Sequence, residues 1–400
     1  MWHGEREAFR VLKEKVDPTA HYIWVHAASL GEFEQGRPLI EQIKRYHPEK
    51  KVLLTFFSPS GYEVRKNYTG ADIICYLPLD TIINARRFLR IIRPEMAFFI
   101  KYEFWYNYLH ILKHRQVPTF SVSSIFRDNQ VFFRWYGKQY SRVLKCFTHF
   151  YVQNETSKRL LESIGIDNVT VTGDTRFDRV LQIKEQSKQL PIVETFVGDC
   201  KNVFVAGSSW QPDEEIFIKY LIGKMNDANS KWKLVIAPHV IGEEHLKQIM
   251  TLLYGKKIVR YTEVANADKV SLKAGAQTQQ LADADVLIID CFGLLSSIYH
   301  YGTVTYVGGG FGVGIHNILE AAVWEKPVII GPNNKKFQEA QELKAAGGCF
   351  EITNYEDFDI IMERFENEPS FLANAGQKAG NYVKGKSGAT EKVLSDIKLS

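Results

Sequence analysis

Short apolar runs recur along the chain, each rich in β-branched or aromatic residues and each followed by a stretch with helical spacing. In the first half they fall at residues 22–27 (YIWVHA), 52–57 (VLLTFF), 73–77, 96–100 (MAFFI), 120–125 and 150–153. Continuous apolar runs mark strands buried on both faces, and intervening helices join such strands by right-handed crossovers into a parallel sheet. The alternation lapses between residues 183 and 201, in the polar stretch KEQSKQLP that ends at Pro191. It resumes at 203–206 (VFVA), 234–237 (LVIA), 286–289 (VLII), 304–307 (VTYV) and 328–330 (VII). The pattern predicts an α/β protein with two doubly wound parallel sheets. The expected division is a first domain over 1–185, a linker over 186–201 and a second domain over 202–387. A closing helix over 388–400 is expected to pack back across the linker.

Composition narrows the function. The 400 residues are 45% hydrophobic and 24% charged, the balance of a globular enzyme. A net charge of +4 is too mild for a dedicated nucleic-acid binder. Five scattered cysteines without a CxxC pair argue against a disulfide framework and fit a reducing compartment. No run of eighteen apolar residues is present, and the amino terminus has no apolar signal region, so composition alone points to the cytosol. No His, Cys, Asp and Glu set has metal-ligand spacing, so chemistry without metal or other cofactor is expected.

Ligands of open α/β sheets bind beyond the carboxyl ends of the strands. At the first junction small residues lead through Ser29 and Gly31 to Glu32, placed in the first turn of a helix. The strongest local signal runs from Val307 through Gly308, Gly309, Gly310, Gly312 and Gly314 to His316, Asn317, Ile318, Leu319 and Glu320. A strand that enters glycines and then opens a helix is read as a phosphate cradle of backbone N–H groups, with Glu320 facing ribose hydroxyls. Its spacing matches neither GxGxxG nor a Walker loop. Pro238 with His239, the Phe292-Gly293-Leu294 turn, and Ser208-Ser209-Trp210 lie at neighbouring junctions. Aromatics and cations mix at Arg127, Phe132, Phe133, Arg134 and Trp135; Arg134, Lys138, Arg142 and Lys145 recur at helical spacing. That combination predicts one helix face forming an interfacial patch for anionic lipid.

The chain resembles the Kdo (3-deoxy-D-manno-octulosonic acid) transferases of lipopolysaccharide synthesis. The resemblance runs through His26-Ala27-Ala28-Ser29-Leu30-Gly31-Glu32, Ser58-Pro59-Ser60-Gly61, Glu103-Phe104-Trp105, Val152-Gln153-Asn154-Glu155 and Val171–Asp178. In the second half it takes in Gly207-Ser208-Ser209, Asp290 with Gly293, Val307-Gly308-Gly309, His316–Glu320 and Pro327–Pro332. It implies a GT-B glycosyltransferase, two Rossmann-like domains facing a central cleft. It also implies inverting transfer of Kdo from CMP-Kdo to a lipid A precursor. In that scheme Glu32 matches the general base, and Arg176 stands where the family has a lysine that stabilises the transition state. The CMP site would draw on Pro238, His239, Phe292, Gly293, Leu294, Asn317, Ile318, Leu319 and Glu320, with Gly308, Gly309 and His316 from the glycine segment. Ser29, Gly31, Ser58, Ser60, Lys101, Glu103, Ser208 and Ser209 are further site candidates. The departures are Lys101 in place of a carboxylate, His239 of an arginine, Leu294 of a glutamate and Trp210 of a histidine. The family starts with a membrane anchor, and this chain opens near where that anchor would end. The expectation is therefore an enzyme lacking its anchor, held on the cytoplasmic face of the bacterial inner membrane by the aromatic-basic patch. The alternatives are another GT-B transferase or epimerase using a nucleoside diphosphate sugar, or a non-catalytic lipid A or nucleotide binder.

Overall fold

A computed structural model describes residues 2–137, 139–187, 189–227, 231–267 and 279–397. The chain divides into two units: residues up to Arg179 with the tail from Lys386, and Val180–Gly385.

Seven strands form the first sheet: β1 (Tyr22–His26), β2 (Lys51–Phe56), β3 (Ile73–Tyr76), β4 (Pro94–Ile100), β5 (Thr119–Ser124), β6 (His149–Val152) and β7 (Val169–Val171). All pair in parallel, in the order β3-β2-β1-β4-β5-β6-β7. β1 is buried along its whole length because helices cover both faces of the sheet. Trp24 anchors one face, ringed by Phe88, Phe99 and Tyr108, and its indole N–H donates to Thr55 at 2.8 Å.

The second unit repeats the plan with β8 (Asn202–Ser209), β9 (Trp232–Pro238), β10 (Ile258–Arg260), β11 (Val286–Ile288), β12 (Val304–Val307), β13 (Val328–Ile330) and β14 (Cys349–Glu351). Their order is β10-β11-β9-β8-β12-β13-β14, again all parallel. In both sheets the chain fills one side of a central strand, the second sheet placing β10 at the edge before β11 fits between it and β9, and then crosses to the other side. The switch points fall between β1 and β4 and between β8 and β12, where such folds place their ligands.

The segment expected as a linker carries the helix Pro191–Val197, whose Val193 and Phe196 are buried within the second unit. The unit boundary lies earlier, inside the helix Thr175–Glu185. The last helix, Ala389–Asp396, belongs to the first unit. There Asp178 accepts the backbone N–H groups of Gly388 and Thr390 at 2.6 and 2.7 Å. Among the described residues no helix is long and apolar enough to cross a membrane.

Candidate functional site

At the β1/β4 switch point a small network of polar groups is buried beneath Glu32. Ser29 caps the helix Leu30–Tyr46 in a reciprocal box: its hydroxyl accepts the Glu32 N–H, and the Glu32 carboxylate accepts the Ser29 N–H at 3.1 Å. Glu32 is thereby held by its own helix terminus. Burial above all, then the negative charge of Glu103, push its carboxyl above the ordinary glutamate range, against the pull of His26 and the capping bonds.

Glu103 is held the other way. Burial pushes it up, but hydrogen bonds from His26 and Trp105 keep it below the usual range. The Trp105 indole N–H donates to Glu103 Oε2 at 2.6 Å, and His26 Nε2 lies 3.1 Å from the same oxygen. His26 Nδ1 meets Thr55 Oγ1 at 2.9 Å, and that oxygen also accepts the Trp24 indole. An indole only donates, so every proton in the chain is used when Thr55 donates to Nδ1 and His26 carries its proton on Nε2. Two adjacent carboxylates are thus pushed apart, one kept ionised and the other made more basic, the usual division between a stabilising group and a base. The network joins β1, β2 and the turn after β4, which only the parallel register brings together.

Lys101 follows β4 with a left-handed φ of 68° and sets its ammonium 5.5 Å from the Tyr102 ring centre. Burial raises the Tyr102 phenol, which also feels the charges of Arg127, Arg176, Asp174 and Glu32. Arg176 donates through Nε to Asp174 Oδ2 at 2.8 Å. Ser58 caps the helix Pro59–Arg65, its hydroxyl 2.9 Å from that of Ser60. Gly31 faces open space, with nothing within 4 Å of where a Cβ would stand. The first unit therefore assembles Ser29, Gly31, Glu32, Lys101, Glu103 and Arg176 at one end of its sheet. Sequence reading left His26, Thr55, Tyr102 and Trp105 out of the candidate set; a histidine inside the otherwise apolar run YIWVHA was the available signal.

The second switch point is organised by Asp213, which is fully buried. Its Oδ1 accepts the Tyr306 hydroxyl at 2.7 Å, and its Oδ2 accepts the backbone N–H groups of Trp210 and Gly309, each at 2.9 Å. This narrows the phosphate-cradle expectation, because four of the glycine N–H groups already have partners. The Gly309 N–H is bound to Asp213 and the Gly308 N–H to the Gly207 carbonyl at 2.9 Å, while those of Gly312 and Gly314 both reach the Gly309 carbonyl at 3.0 Å. These four donors are taken, two within the loop and two by partners outside it, Asp213 and Gly207 of β8. The glycines serve close packing instead: a Cβ on Gly308 would stand 2.3 Å from the Ser208 carbonyl oxygen. Nor does a helix open at His316; it begins at Leu319 and is four residues long.

Side chains do converge there. His239 is stacked between Trp210, at 4.7 Å, and His316, at 4.4 Å. Burial, then the charge of His239, holds His316 down at about 4. Ser209 donates to the buried Glu214 at 2.8 Å, and Glu214 meets His245 Nε2 at 2.9 Å. His245 Nδ1 donates to the Val240 carbonyl at 3.0 Å, which fixes the turn after Pro238. Glu320 accepts from the Asn317 amide at 3.0 Å and from the Ser296 hydroxyl at 2.5 Å. Phe292 is 82% exposed beside Gly293, which has a left-handed φ of 92°. Leu294 and Ile318 precede short helices, and Ile318 and Leu319 are buried. Among the described residues no group of three or more His, Cys, Asp or Glu is placed to hold a metal ion.

The aromatic-basic patch is not one helix face. It is two 3₁₀ helices, Val131–Phe133 and Tyr140–Cys146, joined by a turn, so the three- and four-residue spacing does not describe it. Phe132 and Phe133 are half-buried, packed against Phe104 at 5.3 Å and Phe126 at 5.8 Å. Phe132, Phe133, Arg134, Trp135, Arg142 and Lys145 nevertheless line one groove of about 540 Å³, and Trp135 is 92% exposed. Lys138 lies outside the described residues, and Arg127 is exposed at the start of the segment.

Residues 3–179 match the family model of 3-deoxy-D-manno-octulosonic-acid transferases (kdotransferases). A 3-deoxy-D-manno-octulosonic acid transferase of Aquifex aeolicus is 27% identical over 346 residues, 86% of this chain and 85% of that protein. One of Haemophilus influenzae is 23% identical over 394 residues, 95% of this chain and 87% of its own. Among solved structures the fold is similar to that of a UDP-GlcNAc 2-epimerase from Neisseria meningitidis. The TM-score is 0.64 at 16% identity, covering 94% of this chain and 98% of that one. It is also similar to MurG of Acinetobacter baumannii, with a TM-score of 0.57 at 10% identity over 95% of this chain and 100% of that one.

Proposed function

Because the chain belongs to the Kdo transferase family, and is thus a glycosyltransferase of GT-B-like fold, we propose that it moves Kdo from CMP-Kdo to a lipid A precursor with inversion. The acceptor hydroxyl attacks the anomeric carbon of Kdo, and the bond from that carbon to the phosphate oxygen of CMP breaks on the opposite face. CMP departs with the electron pair, and Glu32 takes the hydroxyl proton. The observation that carries the reading is the paired tuning of Glu32 upward and Glu103 downward at the end of β1 and β4. A general base gains efficiency as its pKa approaches the working pH. Arg176, oriented by Asp174, supplies the cation that offsets charge on the departing phosphate.

The donor side falls to side chains rather than to the glycine amides: His239 and His316 in their stack, Asn317 and Glu320 toward a ribose, and exposed Phe292 toward the base. Segment 308–320 holds no lysine or arginine, which disfavours a nucleoside diphosphate donor. The groove with Trp135, Arg134, Arg142 and Lys145 suits anionic lipid, which supports action at the cytoplasmic face of the inner membrane.

The test is incubation with CMP-Kdo and a tetra-acylated lipid A precursor, with products read by mass spectrometry. Wild type is expected to add the mass of Kdo, and Glu32→Ala to lose transfer by about 10²–10⁴-fold while still binding CMP. An acceptor of unchanged mass with wild-type enzyme and intact donor would overturn the proposal.

A further inference from the structure

One full turn beyond Glu32, on the same helix, stands Gln35, a polar side chain only 1% exposed. Its amide N–H donates to Asp174 Oδ1 at 3.1 Å, and its backbone carbonyl accepts the Thr175 hydroxyl at 2.6 Å. Asp174 Oδ1 also accepts the Arg176 backbone N–H at 2.9 Å, while Oδ2 takes the Arg176 Nε–H at 2.8 Å. The helix that carries Glu32 and the one that carries Arg176 are therefore tied through one carboxylate, and that carboxylate aims the guanidinium.

The tie is maintained at a visible cost. Gln35 Oε1 is buried with no partner among the described residues, an arrangement that costs the desolvation of an unpaired acceptor. On the far side, buried Ser123 adopts a left-handed φ of 54° so that its hydroxyl accepts the Thr175 N–H at 3.1 Å and meets the Thr175 hydroxyl at 2.9 Å. A non-glycine residue in that region is strained and persists only where its surroundings hold it there. An apolar side chain at position 35 would glue two helices without an orphaned oxygen. What an amide adds is direction, since it pulls on the oxygen that also holds Arg176.

We propose that Gln35 is a positioning residue that sets the register of Arg176 relative to Glu32 for transfer. The inference rests on the reading that both take part in the reaction. It acts through Asp174, and nothing in it requires Gln35 to touch substrate.

A double-mutant cycle tests it. Gln35→Met keeps volume and the backbone bond to Thr175 but removes the pull on Asp174. The expected result is a fall in kcat on the order of 10–100-fold, with the KM for CMP-Kdo and the melting temperature close to wild type. Gln35→Asn, one methylene too short to reach Asp174, is expected to behave alike and serves if the methionine variant does not fold. In Gln35→Met/Arg176→Ala the losses should not multiply: the double variant should be no slower than Arg176→Ala. Wild-type kcat in both Gln35 variants overturns the inference. So do fully multiplicative losses, which would leave the roles of Glu32 and Arg176 intact. A full rate in Arg176→Ala alone instead overturns the underlying assignment.

Discussion

Replacing Asp213 gives the sharpest test of how the second switch point is held. Three donors converge on this one carboxylate: the Tyr306 hydroxyl at 2.7 Å and the Gly309 N–H at 2.9 Å, both buried, and the N–H of half-buried Trp210 at 2.9 Å. Asp213→Ala leaves all three without an acceptor. At roughly 1.5–2 kcal/mol for each of the two buried orphans, and less for the half-buried Trp210 N–H, the loss is about 3–5 kcal/mol, a large part of a domain's stability. Asp213→Asn has the same shape. Its amide oxygen can keep both backbone donors, and its NH₂ group can donate to Tyr306, whose hydroxyl turns to accept. Only the charge assistance goes, at about 1–2 kcal/mol. The ordering is therefore wild type, then asparagine, then alanine, with a wide second step. Urea denaturation reads the stabilities, and amide hydrogen exchange on the segment around 306–316 reads the loop. The Gly309 amide should exchange faster in the alanine variant under conditions where the sheet stays protected. If Asp213→Ala unfolds within about 1 kcal/mol of wild type and the Gly309 amide stays protected, Asp213 does not hold the loop and the geometric account fails.

Glu103→Gln removes the charge that helps raise Glu32, so the ascending limb of the kcat/KM profile against pH should move to lower pH; an unchanged or upward-shifted limb refutes the coupling. His316, held at about 4 against an ordinary 6.5, favours the fold only while neutral, so its contribution is present above 6.5 and lost as the pH falls through about 4. The stability gap between wild type and His316→Gln, measured by urea denaturation, should accordingly shrink between pH 7 and pH 4. Gly308→Ala must push a methyl to within 2.3 Å of a backbone oxygen and should destabilise by several kcal/mol, whereas Gly31→Ala meets nothing within 4 Å and should melt as wild type. Equal melting temperatures for these two variants would show that packing is not what fixes glycine at 308.

The sequence alone determined the class of fold and the ends of the strands that matter. Continuous apolar runs between helices allow little but buried parallel sheets, and local spacing is enough to read them. It also placed Glu32 in the first turn of its helix, since a capping box is written within four residues. What it missed are partnerships across strands. His26 and Glu103, 77 residues apart, become neighbours only because β1 and β4 pair, and Gln35 reaches Asp174 across 139 residues. The partners of the glycine segment were out of sight for the same reason. Its amides were available to phosphate only if nothing nearer claimed them, and Asp213, 96 residues before Gly309, claims one. The 131–146 segment has the spacing of a helix, yet it folds into two 3₁₀ helices, with Phe132 and Phe133 packed against Phe104 and Phe126. Hydrophobic periodicity is a local quantity and survives in the sequence. Which donor meets which acceptor is settled by sheet order and burial, and these exist only once the chain has folded.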